Sequence, residues 1–274
     1  MIDKTHMKTV VITGGAGGIG REFSKLFAKD NYRVVVFGLL TSELDSLGME
    51  LRSAYPGAEL LLQQMDLSLP DAAEQVVAWC AQRSLEVDVL VNNVGFGMLG
   101  EHVELDVGRI QQMLALNNLL LTKLTLLVGK TMKARGRGHI LIVSSMVGFS
   151  PAPFFAAYSG TKAYALAFAV ALARELGEHG VSVSCLCPGT TRTRFLDAAQ
   201  SKLESAKGIT RFVSAYMVGP DVVAAAGYRG LFAGALIIVP NAFLKLQAVL
   251  LRITPMRLVS WFVHRQAAVR GTAS

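Results

Sequence analysis

Short β-branched runs alternate along this chain with longer stretches whose apolar residues recur at helical spacing. The apolar runs are "KTVVI" (Lys8 to Ile12), "YRVVVFG" (Tyr32 to Gly38), "AELLLQQMD" (ending at Asp66), "VDVLVNNVG", "GHILIVSS", "VSVSCLCPG" and "GALIIVP". Between them the periodicity predicts helices. One carries Phe23, Leu26 and Phe27, and one runs through Leu51 with Thr41 or Ser42 as its cap. The next lies around Asp71 to Arg83, with Pro70 at its first turn. Two longer ones follow, from about Gly108 to Lys133 and from about Phe155 to Gly177. Nearly continuous apolar strands linked by helices predict an α/β fold, a doubly wound parallel sheet of about seven strands covered by helices on both faces. Without a Pro/Gly/Ser linker, repeat or low-complexity tract, residues 1–240 read as one domain. Residues 241–274 form a basic, apolar helical tail.

Polar residues interrupt this pattern mainly at the carboxyl ends of the strands. Thr13 and the glycines after it, Asp66, Asn92 and Asn93, Ser144 and Ser145, and Pro188 and Gly189 all fall there. In open parallel sheets that edge is where ligands bind. The first of these ends reads "TGGAGGIG", five glycines in eight residues from Thr13 to Gly20. A strand, a glycine turn and a helix entry present free N–H groups and a positive helix end to a phosphate. The nucleoside-triphosphate loop is excluded, because Arg21 and Glu22 stand where it needs Lys and Ser or Thr. The dinucleotide pattern fits, with Gly15, Gly17 and Gly20 in the G-x-G-x-x-G positions.

Composition narrows the setting. Cys80, Cys185 and Cys187 are too few for a disulfide framework, and the five histidines show no metal-ligand spacing, so no metal site is expected. No secretory pattern opens the chain and no run reaches the ~18 apolar residues of a membrane span, which makes a cytoplasmic location the expectation. Mean hydropathy is nevertheless +0.42, and the net charge is +7. Lys245, Arg252, Arg257, Arg265 and Arg270 place five of those charges after Pro240, among Leu, Ile, Val and Trp261 and with no acid. Pro255 divides this tail into two helical pieces. Such a segment is expected either to close over a pocket as a lid or to lie peripherally on a membrane surface.

Tyr158 and Lys162 lie four residues apart on a predicted helix and therefore on one face. An ammonium beside a phenol favours the phenolate, which predicts a lowered tyrosine pKa and an acid/base near neutral pH. Together with the glycine turn, "NNVG" (Asn92 to Gly95), "SS" before Tyr158 and "PGTTRT", this pair makes the chain resemble the short-chain dehydrogenase/reductase family, in its single-domain branch. The resemblance runs from about Lys8 to Pro240. It is nearest to 3-ketoacyl and 17β-hydroxysteroid reductases, and Val94 in place of the family's alanine is a mild departure.

The resemblance implies a Rossmann-type fold and a set of roles. Tyr158 would be the catalytic acid/base and Lys162 its tuner and a ribose ligand. Ser145, thirteen residues before Tyr158, would orient the carbonyl, and Asn117 or Asn118, of which Asn117 brings "NNLLLTKLT" into line with the family run, would be the helix asparagine that links Lys162 to solvent through a water. The glycine motif would comprise Thr13, Gly14, Gly18 and Gly20, with Gly15 and Ile19 beside them. Asp66 and Leu67 would meet the adenine, Asn92 and Gly95 the adenosine side, and Pro188, Gly189, Thr191 and Thr193 the carboxamide end.

The cofactor is expected to be NADP, favoured over NAD, although Gly38, Leu39 and Leu40 supply neither the acid nor the arginine that usually decides. Arg21 is a candidate for the 2′-phosphate. Phe96, Met146, Phe149 and Phe154 suggest an apolar pocket for a small hydrophobic carbonyl or alcohol, with Arg192 and Arg194 near it. The expected reaction is therefore NAD(P)-dependent interconversion of a hydrophobic ketone and a secondary alcohol. The alternative is a non-catalytic dinucleotide sensor or scaffold on the same fold. A helix as apolar all round as "AYALAFAVALARELG" predicts a homodimer or homotetramer. Nucleic acid is not an expected partner.

Overall fold

The computed structural model describes residues 7–191 and 217–268. Seven strands form one parallel sheet: β1 (Thr9–Thr13), β2 (Arg33–Gly38), β3 (Leu60–Gln64), β4 (Val87–Asn92), β5 (Gly138–Val143), β6 (Val181–Leu186) and β7 (Ile237–Ile238). Their order is β3-β2-β1-β4-β5-β6-β7. The winding reverses between β1 and β4, and that reversal opens a crevice at the carboxyl edge.

The apolar strands are buried on both faces because each face is covered. Val10, Ile12, Val34 and Val36 point to one side, against Phe23 and Phe27 of α1 (Gly18–Lys29), Leu44, Leu47 and Leu51 of α2 (Thr41–Ala54), and Val223 and Leu231 of α7 (Pro220–Phe232). Val11, Val35 and Phe37 point the other way, as the two-residue strand period requires. There they meet α3 (Ala72–Ala81), α5 (Leu121–Arg135) and α6 (Ala156–Gly177). The tail splits at Pro255 into α8 (Ala242–Ile253) and α9 (Met256–Ala268). Leu244 and Ala248 dock α8 onto the second of these cores.

Several expected boundaries move. Strand β3 stops at Gln64, so Asp66 stands two residues beyond it, in a turn where its Oδ1 accepts from the Ser68 amide at 2.9 Å. Helix α2 is entered through Leu40, with no side-chain cap, and Thr41 is already its first helical residue. The long predicted helix is continuous in space over Val107–Arg135, but not uniform. α4 (Val107–Leu114) passes into a wide π-turn, Ala115–Leu120, before α5 begins. This 29-residue run is long and apolar enough to cross a bilayer, yet Leu121, Leu124, Val128 and Met132 pack in the core.

Candidate active site

The glycine turn fits closely against the chain itself. Gly14 adopts φ +65° and its N–H donates to the Phe37 carbonyl at 2.8 Å. A Cβ there would come 3.2 Å from Val94 Cα, and one on Gly20 would come 2.6 Å from the Asn93 side-chain nitrogen. Asn93 fastens the two loops, donating from Nδ2 to the carbonyls of Thr13 and Gly14, both at 3.1 Å. Thr13 Oγ1 accepts from the amides of Asn93 at 3.1 Å and Val94 at 3.2 Å. Thr13 and Asn93 thus hold the ends of β1 and β4 in register. Gly17, which caps α1, has no side chain of its own to satisfy the helix N-terminus, and the first helical turn carries no acid. A positive helix end with its N–H groups favours an anion, and the glycine turn fits a dinucleotide's phosphates.

The adenosine end departs from expectation. Arg21 is held away from a cofactor phosphate: it donates to Glu50 at 2.7 Å, to Ser46 at 3.1 Å and to the Ala16 carbonyl at 3.3 Å. The second helix, which supplies Glu50 and Ser46, fixes it there. Leu39, 60% exposed, and Leu40 follow β2. Glu43, in the first turn of α2, brings a carboxylate oxygen to 3.5 Å from where a Cβ on Gly17 would lie. Asn92 is buried and donates from Nδ2 to Thr125 Oγ1 at 3.0 Å, so its amide ties β4 to α5 instead of reaching toward an adenosine. Leu67 is a core side chain, whereas Asp66 is exposed.

Four polar side chains converge beyond the ends of β4 and β5. Tyr158 and Lys162, one turn apart on α6, are both buried. Lys162 Nζ donates to the Val143 carbonyl at 3.0 Å and sits 5.8 Å from the centre of the Tyr158 ring. Ser144 and Ser145 divide their work. Ser144 Oγ is buried and donates to the Lys162 carbonyl at 2.7 Å, while Ser145 opens the short turn Met146–Phe149 and hydrogen-bonds the Tyr158 hydroxyl.

Asn117 lies in the π-turn, which aims its side chain across the site. Its Nδ2 donates to the Phe96 carbonyl at 2.9 Å and to Thr161 Oγ1 at 3.0 Å, and its Oδ1 accepts from the Phe96 amide at 3.2 Å. Widened helical turns recur at functional sites because they re-aim one side chain without breaking the helix. Gly95 permits this approach, since a Cβ there would stand 2.7 Å from Asn117 Oδ1. Together with Thr13, Asn92, Val143 and Lys162, Asn117 lines a narrow cleft. A wider groove lies far from it, along the edge strand β3 between Met49, Arg52, Trp79 and Arg83.

Burial dominates the electrostatics. It pushes the Tyr158 hydroxyl well above its ordinary value, and the Ser145 hydrogen bond pulls only partly against it. The expected lowering of Tyr158 by Lys162 is not met here, because the ammonium is turned to the Val143 carbonyl. Lys162 itself is drawn down to about 8, because burial disfavours its charged form.

Two of the four apolar residues expected around a substrate, Phe149 and Phe154, lie under the tail. Phe154 holds φ +67°, and its ring stacks on His264 of α9 at 6.0 Å. The Arg252 guanidinium of α8 covers Phe149 at 5.1 Å. Phe96 is partly buried beneath Arg109 at 4.7 Å. Met146 is different: it is 8% exposed and belongs to the core, and its amide donates to the Pro188 carbonyl at 2.8 Å. A Cβ on Gly189 would touch Leu244 of α8 at 2.9 Å, and Thr191 Oγ1 donates to the Gly189 carbonyl at 3.1 Å. Arg192, Thr193 and Arg194 lie outside the described residues.

Asn93, Thr161 and Glu43 were not singled out as site residues by sequence reasoning. Asn93 stood in the recognised Asn pair, and Thr161 sits inside "YSGTK". Glu43 had no signal until α2 was docked.

Comparison with known proteins agrees with this fold. The sequence matches the family described as short chain dehydrogenase over residues 8–204. It is 33% identical over 175 residues to a very-long-chain 3-oxoacyl-CoA reductase of Podospora anserina, covering 63% of this chain and 52% of that protein. To the 17-beta-hydroxysteroid dehydrogenase type 3 of Rattus norvegicus it is 32% identical, covering 69% of this chain and 63% of the relative. The chain thus spans a little over half the length of these curated relatives. Among solved structures, a short-chain dehydrogenase from Sphingobium yanoikuyae in complex with NADPH superposes with a TM-score of 0.76 at 25% identity, covering 98% of both chains. An actinorhodin polyketide ketoreductase variant with NADPH gives 0.73 at 28% identity, covering 85% of this chain and 95% of that one. The nucleotide turn, the seven-stranded order and the Ser145–Tyr158–Lys162 cluster thus stand in a chain that belongs to the short-chain dehydrogenase family, whose members use NAD(P).

Proposed function

We propose that this protein is an NAD(P)-dependent oxidoreductase that interconverts a hydrophobic ketone and a secondary alcohol. One observation carries the reading: a buried tyrosine, hydrogen-bonded by Ser145, lies with Lys162 and Asn117 at the sheet edge that also presents the glycine turn and the α1 N-terminus. A protein that only bound a dinucleotide would need the helix end, not the serine–tyrosine pair.

The nicotinamide supplies or accepts the hydride. In the reductive direction Ser145 and Tyr158 hydrogen-bond the substrate carbonyl oxygen, and Tyr158 gives it a proton as the carbon is reduced. Because burial holds the Tyr158 proton on, the resting site is set for donation. Lys162 would hold the cofactor's ribose. Asn117 is a positioning residue that links the Phe96 backbone to Thr161, whose hydroxyl in turn donates to the Tyr158 carbonyl at 2.7 Å. Thr13 and Asn92 serve the cofactor indirectly, by holding the loops.

Phe96, Phe149 and Phe154 line the approach, which suits an acyl, steroid or aromatic carbonyl. The names of the relatives, a 3-oxoacyl-CoA reductase and a hydroxysteroid dehydrogenase, support that class. Residues 1–240 form the catalytic unit in this reading, with 241–274 a tail in peripheral contact with a membrane. Leu126 of α5 and the stacked Tyr164 and Phe168 of α6 leave apolar surface outward, which supports a homo-oligomer formed across these helices. The test is a panel of acyl, steroid and aromatic ketones assayed with NADPH and NADH side by side. Turnover of the hydrophobic ketones supports the reading, and its absence with both cofactors overturns it.

A further inference from the structure

The tail helix α8 is apolar on two opposite faces, and among the described residues only one of them packs against the core. Leu244 and Ala248 are buried, with Leu251 packed beside them, and this inner face lies on the core and on Gly189. On the other side, Leu246, Val249, Leu250 and Ile253 are about half exposed or more, Ile253 reaching 73%. By the helical period these four sit opposite Leu244, while Lys245 and Arg252 fall together on one flank. Past Pro255, Met256, Leu258 and Trp261 of α9 are each more than half exposed as well, Leu258 and Trp261 on one side of that helix. Across 222–274 the chain contains no Asp or Glu, against Arg229, Lys245, Arg252, Arg257, Arg265 and Arg270.

We propose that the outer face of α8 and α9 is a docking surface for an anionic lipid bilayer. Charge and shape together select this occupant. An apolar stripe with a cationic flank and an interfacial tryptophan matches a layer of acyl chains beneath negative headgroups. An acidic protein would leave the stripe wet, and a second copy would bring cation against cation.

Docking here has a consequence for the active site. Arg252, on the flank of α8, covers Phe149, and His264 of α9 stacks on Phe154, so the two helices lie over the phenylalanines of the proposed substrate approach. An apolar carbonyl would enter from the bilayer without crossing water. This deepens, and rests on, the hydrophobic-substrate reading above.

The experiment uses the full chain with a Trp79→Phe change, leaving Trp261 as the single tryptophan. It is floated with phosphatidylcholine vesicles and with mixed phosphatidylcholine–phosphatidylserine vesicles while Trp261 emission is followed. Co-flotation with the anionic vesicles at low salt, a blue shift of Trp261, and release by high salt are expected. Lys245→Gln with Arg257→Gln, both exposed and away from the cleft, should weaken partition about 30-fold, at ~1 kcal/mol per basic residue. Ile253→Glu should abolish it. Absence of flotation at low salt overturns the proposal, as does binding indifferent to lipid charge. So does a Trp261 blue shift that appears with protein concentration alone, which would mean that another copy covers the face. Flotation needs no turnover. A chain that floats but reduces no hydrophobic ketone therefore sinks the substrate reading alone, and one that turns over without floating sinks only the docking surface.

Discussion

Asn117 donates its amide proton to Thr161 Oγ1 at 3.0 Å, tying the π-turn of one helix to the helix that carries Tyr158 and Lys162. The same side chain exchanges two hydrogen bonds with Phe96. Replacing it with alanine strips three buried or half-buried partners at once, which costs on the order of 2 kcal/mol. Asn117→Ala should therefore lower the melting temperature and reduce kcat more than it raises KM. Thermal melts and steady-state kinetics check this, and an unchanged kcat would remove Asn117 from the site.

Gly95 tests the same contact from its other side. A methyl there meets Asn117 Oδ1 at 2.7 Å and Lys162 Nζ at 3.7 Å. Gly95→Ala should therefore mimic Asn117→Ala in turnover, and the double change should cost little more than either alone. Kinetics of the two single variants and the double variant decide it.

Cofactor choice should respond at two places. Leu39→Arg puts a guanidinium on the exposed end of β2, where a 2′-phosphate gains a charge-assisted bond of roughly 1.5–3 kcal/mol. Glu43→Gln removes the carboxylate beside Gly17 and should also favour NADPH. Titration of both cofactors into the wild type and each variant reads the change. Unaltered NADPH affinity in both would show that neither position faces the ribose.

The seven strands and the Tyr158–Lys162 face were legible because a parallel sheet writes its strands as apolar runs and its binding edge as their polar ends. What escaped depended on contacts between distant segments. "LALNNLLL" reads as an unbroken helix, and nothing local announces that Asn117 needs a wider turn to reach Phe96 and Thr161. Arg21 looked free for a phosphate until α2 packed Glu50 and Ser46 against it. Asn92 and Asn93 are indistinguishable in sequence, yet one ties β4 to α5 and the other to the glycine turn. The tyrosine pKa was misjudged for a similar reason. Spacing placed Lys162 on the right face but could not show that its ammonium would turn to Val143.

The pH behaviour follows from the two buried groups. Burial lowers Lys162 to about 8 from its ordinary 10.5, so between those values the unfolded chain binds the extra proton. Its contribution to stability therefore rises with pH across that window. Unfolding free energies measured from pH 7.5 to 10 should show the rise in the wild type relative to Lys162→Met. The raised Tyr158 value works on catalysis instead: the proton stays on through neutrality, so reduction should stay level there while alcohol oxidation climbs in alkali. Opposite slopes would contradict this assignment.

The most direct measurement is hydride transfer in Tyr158→Phe, followed in a single turnover beside cofactor titration. The ring still packs, so cofactor affinity should stay within about a factor of two, while transfer to the ketone falls about 10²–10⁴-fold with loss of the acid/base. A variant that binds cofactor normally and keeps more than about half of the wild-type rate would contradict Tyr158 as the proton donor.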